Sequence, residues 1–250
     1  MTAWYENTFG RDYLSLYPHR NDEEAHRDVR GILRLTDPPR DKPLLDLCCG
    51  AGRHLVALRH AGFTRLTGLD LSKDLLAEAR ERLDAEFMQD IQLIQADMRV
   101  IPESGLYATI VSLFTSFGYF EHDSEDERVL RSAYQALARD GTFLLDTLNR
   151  AHVIASLIPY EEKQLDGKRA IIHRHITGDG LRVEKETRIA QPGSPDMTYR
   201  ESVRMYKKTE IEEMLHRIGF SDPRFHGDLK GQAFSDDSPR MVFVASKAAR

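Results

Sequence analysis

Three acids and two glycines carry the chemistry that can be read most directly from this chain. Leu44-Leu45-Asp46-Leu47-Cys48-Cys49-Gly50-Ala51-Gly52-Arg53-His54 reads as a buried strand, a Gly-x-Gly turn and a helix start. Glycines at such a turn let the backbone approach a ligand closely, because they carry no Cβ. Asp70 lies at the tip of the next strand, where an acid can accept both ribose hydroxyls of an adenosine-type ligand. Gln95-Ala96-Asp97-Met98 ends the third strand. There an acid can accept from an adenine amino group, and Met98 can pack on the ring. A helix cap or turn is the simpler role for Asp97.

Two cofactor types use this arrangement. A dinucleotide needs Gly-x-Gly-x-x-Gly to seat its pyrophosphate. Here the third glycine position is Leu55, so that fingerprint is incomplete. S-adenosylmethionine has no phosphate and needs only the close approach of the first two glycines.

Strands alternating with helices must position these residues. Strands are expected at 43–48, 65–70, 91–96, 107–114 and 142–147, with helices at 23–35, 55–60, 73–86 and 123–139. Ser72 is expected to cap the third helix. Nearly continuous apolar strands in this rhythm imply a parallel sheet covered on both faces. After Leu148 the rhythm breaks. Residues 168–177, 181–190 and 197–206 read as antiparallel strands, with Gly178-Asp179-Gly180 turning between the first two. A helix capped by Thr209 runs to about Ile218 and stops at Gly219. Two last strands follow at 222–228 and 240–246.

The expected fold is therefore α/β: a Rossmann-like seven-stranded sheet, mostly parallel with a C-terminal antiparallel hairpin, plus a small antiparallel β insertion. Residues 1–250 are expected to form one domain. Residues 1–35 would be an N-terminal helical lid, and residues 151–206 an insertion over the cleft.

The motif set resembles motifs I to III of class I S-adenosylmethionine-dependent methyltransferases. Ser112-Leu113-Phe114-Thr115-Ser116-Phe117-Gly118-Tyr119-Phe120 is similar to the fourth-strand segment of a bacterial and archaeal subgroup acting on small molecules. The likeness extends to the Trp4-Tyr5 start and the Ser235-Asp-Asp-Ser-Pro-Arg240 ending. An acid often precedes the fourth strand in that family; here Ala108 follows Tyr107 instead. The resemblance implies that Gly50, Ala51 and Gly52 line the methionine portion of the cofactor. It places Asp70 and Leu71 at the ribose, Asp97 and Met98 at the adenine, and Leu113 and Phe114 near the sulfonium. Arg20 and Arg53 are candidates for the methionine carboxylate. Tyr13 and Tyr17 are candidates to cover the site.

Methyl transfer from a sulfonium asks the protein mainly to align the nucleophile and exclude water. No catalytic base is identified. Tyr119 and Phe120 could wall an acceptor, or simply pack. His173 and His175 would share one strand face, as a base and its partner, half a metal site, or two solvated histidines. Asn149, Arg188 and Tyr206 are further wall candidates.

The chain has 250 residues and a formal net charge of −5. Acidity argues against a nucleic-acid partner, whose phosphates usually select a basic surface. No apolar run approaches the roughly 20 residues that span a bilayer. No secretory signal is evident. Cys48 and Cys49 are the two cysteines, adjacent and too few for a zinc site, so no metal is expected and reduced thiols point to the cytoplasm. A small-molecule acceptor and a monomer or homodimer are expected. The alternatives are a non-catalytic S-adenosylmethionine-binding sensor or assembly partner, and a nicotinamide-dependent oxidoreductase.

Overall fold

A computed structural model describes residues 3–8, 21–165, 168–190 and 195–248. Tyr13, Tyr17 and Arg20 lie outside the described residues. After a short α1 (Trp4–Thr8) and α2 (Asp22–Thr36), the chain alternates β1 (Leu44–Leu47), α3 (Arg53–His60), β2 (Leu66–Asp70), α4 (Lys73–Ala85) and β3 (Gln92–Gln95). It continues through β4 (Tyr107–Ser112), α5 (Asp123–Ala136) and β5 (Leu137–Leu148). The helix expected to reach residue 139 ends earlier, at Ala136, and Leu137 already belongs to β5.

The last helix and strands are α7 (Lys208–Ile218), β10 (Phe220–His226) and β11 (Arg240–Lys247). Thr209 does not cap α7. The Lys207 N–H donates instead to the Glu210 carboxylate at 2.6 Å. The seven strands form one sheet in the order β10-β11-β5-β4-β1-β2-β3. β1 to β5 pair in parallel, and β11 is antiparallel to both β5 and β10.

Both faces of that sheet are covered. On one side Leu130, Ala133, Ile211 and Leu215 of α5 and α7 are buried with Phe143 and Phe243. On the other, α2, α3 and α4 supply Ala25, Val29, Ile32, Leu55, Leu58, Leu76 and Leu83. Residues 22–36 are therefore a structural layer of the core and not a lid. Their apolar stripe is long enough to bury against the sheet, and Gly31 lets the helix approach Leu229 where a Cβ would stand 2.5 Å from its carbonyl oxygen.

The region between β5 and α7 starts with a helix that the sequence had not signalled, α6 (Arg150–Ser156). A four-stranded antiparallel sheet follows: β6 (Tyr160–Leu165), β7 (Lys168–Ile176), β8 (Arg182–Ala190) and β9 (Met197–Arg204), in that order. One strand more than expected is present, because Tyr160-Glu-Glu-Lys-Gln-Leu is too polar to read as a strand until it is paired with β7.

Hydrogen bonds tie this second sheet to the loop after β4. Arg182 donates to the carbonyls of Phe120 at 2.9 Å and Gly118 at 3.3 Å, and the Arg204 N–H donates to the Gly118 carbonyl at 2.7 Å. Gly118 has φ +89, and a Cβ there would lie 2.4 Å from the Arg204 carbonyl oxygen. Beneath it, the buried Asp126 accepts from the Gly118 N–H at 3.1 Å and from the Tyr206 hydroxyl at 2.8 Å.

Burial pushes Asp126 up from the ordinary 3.8 to about 7, against the lowering effect of those two hydrogen bonds. The unfolded chain ionises it near 3.8, whereas the fold keeps it protonated much longer. That contribution favours folding at low pH and is lost as pH rises through about 7. Asp126→Asn, a mimic of the protonated acid, should gain stability relative to the parent chain between about pH 4 and 7, by on the order of 2–4 kcal/mol. Chemical denaturation across that range reads the difference, and a difference independent of pH would refute the assignment.

Candidate functional site

Asp46, Asp70 and Asp97 all lie at or just past the ends of the parallel strands β1, β2 and β3. β1 runs into a turn with successive left-handed residues: Cys48 at φ +65, Gly50 at +54 and Gly52 at +75. A Cβ on Gly52 would press on Ala79 at 3.1 Å, which explains that glycine by packing against α4. A Cβ on Gly50 would meet only Leu75, at 4.0 Å. Among the described residues, Gly50 therefore faces open space, a cradle suited to a ligand approaching the backbone.

Asp70 closes the adjacent strand. Its carboxylate accepts from the Gly50 N–H and the Ser72 N–H, both at 2.9 Å, which fixes it against the glycine turn. It is 9% exposed, and burial raises its pKa against the opposing pull of those amides. Leu71 beside it is exposed.

Asp46, at the end of β1, is 1% exposed, and its Oδ2 has no hydrogen-bond partner among the described residues. Burial pushes it up to about 6, with His54 and Arg53 pulling the other way. An orphan acceptor beneath the Gly50 cradle suits a ligand that brings a donor, such as the ammonium of an amino acid. The residue belongs to the glycine motif as the acid before the turn, without a ligand contact of its own having been expected for it.

Asp97 already has a partner. It accepts from the Arg99 N–H at 2.8 Å and from its guanidinium at 2.5–3.1 Å, and Arg99 also reaches Glu125 at 2.6 Å. Partial burial would raise Asp97, but the Arg99 hydrogen bonds outweigh it and leave the carboxyl below its ordinary value. The turn role is thus filled, and an adenine amino group would share an occupied carboxylate. Met98 is buried against Cys48, 3.5 Å from sulfur to sulfur. Arg53 pairs with Glu24 at 3.0 Å and lies over the Phe114 ring at 4.2 Å, while His54 stacks with the same ring, centroids 5.5 Å apart, and bonds Asp28. Leu113 is buried toward α2 and α3.

The loop after β4 has the most constrained backbone of the site. Phe114 has φ +58 and Thr115 φ +63, a left-handed pair that includes a β-branched residue. Asp146 of β5 accepts from the Phe114 N–H at 3.2 Å through its side chain and from the Thr115 N–H at 3.1 Å through its carbonyl. Arg240 of β11 clamps both, donating to Asp146 at 2.7 Å and to the Thr115 hydroxyl at 2.7 Å. Neither Asp146 nor Arg240 was expected at the site. The Ser235–Arg240 ending was the available signal, and it gave no hint of which atoms Arg240 would reach.

A cavity of about 380 Å³ opens beyond this loop. Phe114, Thr115 and Tyr119 line its floor, Val153, Leu157 and Ile158 one flank, and the inner face of the four-stranded sheet its roof. The roof presents Glu161, Arg174, Lys185 and Glu201 together with Val183 and Val203. None of these four charged residues was expected there.

Most of the acceptor candidates lie elsewhere. His173 and His175 are exposed on the opposite face of β7 from Arg174, so they do not meet the cavity. The strand alternates, and the histidines took the solvent side. Arg188 is exposed and pairs with Asp196. Tyr206 is in the core on Asp126. Phe120 is buried beneath Arg99. Asn149 is buried, donating to the carbonyls of Ser235, Asp236 and Ser238 at 2.8–3.1 Å. Tyr119 alone of the acceptor candidates lines the cavity, under the edge of Trp4.

Among the described residues, no helix is long and apolar enough to cross a membrane, and no group of three or more metal-ligating side chains is placed to hold an ion. Residues 44–141 match a family described as a methyltransferase domain. The chain is 26% identical over 196 residues to the dTDP-3-amino-3,4,6-trideoxy-alpha-D-glucopyranose N,N-dimethyltransferase of Streptomyces venezuelae, covering 77% of each. Its fold is shared with the CcbJ methyltransferase of Streptomyces caelestis, at TM-score 0.79, 16% identity and 99% of both chains. It is shared too with the sugar N-methyltransferase KedS8 of Streptoalloteichus sp. ATCC 53650, at TM-score 0.74 and 21% identity over 100% of this chain and 98% of that one. The sheet order, the glycine cradle, the acid at the end of β2 and these matches together indicate an S-adenosylmethionine-dependent methyltransferase, with its methyltransferase domain at residues 44–141 and a fold similar to class I.

Proposed function

We propose that this enzyme methylates an amine nitrogen of a small polar acceptor held in the cavity under the four-stranded sheet. The cavity carries the reading. Its floor is the Phe114–Thr115 loop, its volume of about 380 Å³ falls within the roughly 300–1,000 Å³ of small-molecule sites, and a folded sheet closes it from above. Such a roof suits a small acceptor better than a polynucleotide. Nitrogen as the acceptor atom draws support from the relatives named as N-methyltransferases. The single-domain organisation, a cytoplasmic setting in keeping with two free thiols, and a monomeric or homodimeric state belong to the same reading.

When bound, S-adenosylmethionine supplies an electrophilic methyl group on a sulfonium that leaves as a neutral thioether. The residues that would hold it are Gly50, Ala51 and Gly52 beside the methionine portion, Asp46 toward its ammonium, Asp70 and Leu71 at the ribose, and Asp97 and Met98 about the adenine. Leu113 and Phe114 would border the sulfonium, and Arg53 the carboxylate. Chain groups do the rest by placement. Asp146 and Arg240 hold the Phe114–Thr115 backbone in one conformation, which fixes the rim across which the acceptor nitrogen must reach. Tyr119 and the apolar flank exclude water from it. An amine arriving unprotonated needs no general base.

Turnover to S-adenosylhomocysteine over a panel of amines, phenols and carboxylates tests the reading. Amines should be consumed; product from phenols or carboxylates alone, or no product from any of them, would refute nitrogen methylation by this site. Asp70→Ala should weaken S-adenosylmethionine binding by several-fold to a hundredfold, since charge-assisted bonds to two hydroxyls are worth roughly 1.5–3 kcal/mol. Titration calorimetry gives the affinity directly, and unchanged binding by a folded variant would leave Asp70 with only its turn contacts. Arg240→Met should lower kcat by roughly ten- to hundredfold while leaving cofactor affinity within a few-fold, because it releases the loop and not the glycine cradle. Equal losses in kcat and cofactor binding would contradict that division.

A further inference from the structure

The roof of the cavity brings two cations face to face. In the β7–β8 ladder Arg174 is the direct cross-strand partner of Lys185, and in the β8–β9 ladder Lys185 is the partner of Glu201. Glu161 of β6 reaches Arg174 at 2.8 Å from the other side. The sheet thus carries a row of four charges on its inner face, ordered acid, cation, cation, acid. Like charges directly opposite on neighbouring strands destabilise a sheet, and here each cation is drawn outward to its own acid. The side chains of Lys185 and Glu201 are 16% and 17% exposed, and that of Arg174 is 22% exposed, so solvent screens the central pair poorly.

Val183 and Val203 border the row, and the two cations at its centre are donors that face the cavity. A guanidinium beside an ammonium across one ladder suits an oxyanion, which takes paired bonds from the first and a point charge from the second.

We infer that the acceptor carries an anionic group, a carboxylate or a phosphate, which docks between Arg174 and Lys185 while its amine points across the cavity to the Phe114–Thr115 loop. This rests on the reading of the cavity as the acceptor site. The anion removes the repulsion between the central cations, and the outer acids keep both side chains extended in its absence. An acceptor with both charges would be oriented by the row end to end, so the amine is delivered to the loop and the anion kept away from the sulfonium.

Binding of inorganic phosphate and of acetate to the enzyme saturated with S-adenosylhomocysteine tests this without any turnover. Calorimetry should detect at least one of the two, and which one tells phosphate from carboxylate. Arg174→Met and Lys185→Met should each weaken it by about tenfold or more, consistent with loss of one charge-assisted bond. Arg188→Met, on the exposed face, should leave it unchanged, and S-adenosylhomocysteine affinity in all three reports an intact fold. No binding of either anion, or binding that all three variants share, would overturn the inference. A parallel comparison of ethanolamine, glycine and O-phosphoethanolamine as methyl acceptors separates the two claims. Product from ethanolamine alone overturns the anion site and leaves amine methylation standing. Anion binding that depends on Arg174 and Lys185, without product from any amine, retains the anion site and counts against nitrogen as the acceptor atom.

Discussion

The Asp146 carboxylate is the joint on which the reactive corner of this fold depends. Two successive non-glycine residues at positive φ, one of them β-branched, cost on the order of 1–3 kcal/mol each, and such a turn persists only where its surroundings over-determine it. Asp146 provides that by taking the Phe114 N–H on one oxygen and Arg240 on the other. It is 5% exposed, so the charge it shares with Arg240 is poorly screened. Arg240 comes from the antiparallel β11. A strand entering from the opposite direction begins where its parallel neighbours end, and this brings a cation from the start of β11 to the ligand-binding edge of the sheet. The reversed hairpin thereby acts on the site as well as extending the sheet.

The cofactor side follows a related logic with softer constraints. Parallel strands finish on one edge, so the acids of β1 and β2 gather there without long-range design. Asp70 is then pinned by amides from its own turn and from the glycine turn, which couples the two loops through one side chain. Asp46 has an oxygen without a partner among the described residues, and Asp97 is held by Arg99. The three carboxylates therefore enter with different protonation tendencies: Asp46 pushed up to about 6 and Asp70 raised, chiefly by burial, and Asp97 lowered by its arginine.

What could be read from the residues and what could not divide along one physical line. Strands buried on both faces announce themselves as apolar runs, and the turns between them carry Gly, Asp and Ser at positions with few other uses. The large sheet, Gly50, Gly52 and Asp70 were accordingly legible. β6 was not, because Glu161, Glu162 and Lys163 are stable in a strand only through cross-strand partners on β7 that adjacency in sequence does not reveal. All the acceptor candidates except Tyr119 lie away from the cavity, several for a related reason. His173 and His175 attract notice for their chemistry, but alternation gives a strand two faces and says nothing about which is inner. Packing of Ala170, Ile172 and Arg174 inward decided it, one residue out of phase with the histidines. Tyr206 and Asn149 have the polar tips of site residues and use them to anchor the chain.

That one-residue phase also separates the two tasks of the molecule. The parallel sheet ends in backbone and carboxylates that suit a cofactor, and these elements tolerate little change because Gly52 meets Ala79, Asp146 meets Arg240 and Asp126 meets Tyr206 at contact distance. The four-stranded sheet meets the same corner through Arg182, Arg204 and Gly118, by backbone carbonyls and amides and by the Arg204 guanidinium on Asp123 and Glu210. These anchors do not involve Arg174, Lys185 or Glu201, whose ion pairs run across the sheet. Arg174, Lys185 and Glu201 can therefore be set by what enters the cavity, while the corner beneath them stays as it is. With the cavity as the proposed acceptor site, a fold divided in this way can change acceptors by substitutions across β6 to β9, and the row of four charges is where such a change would be written.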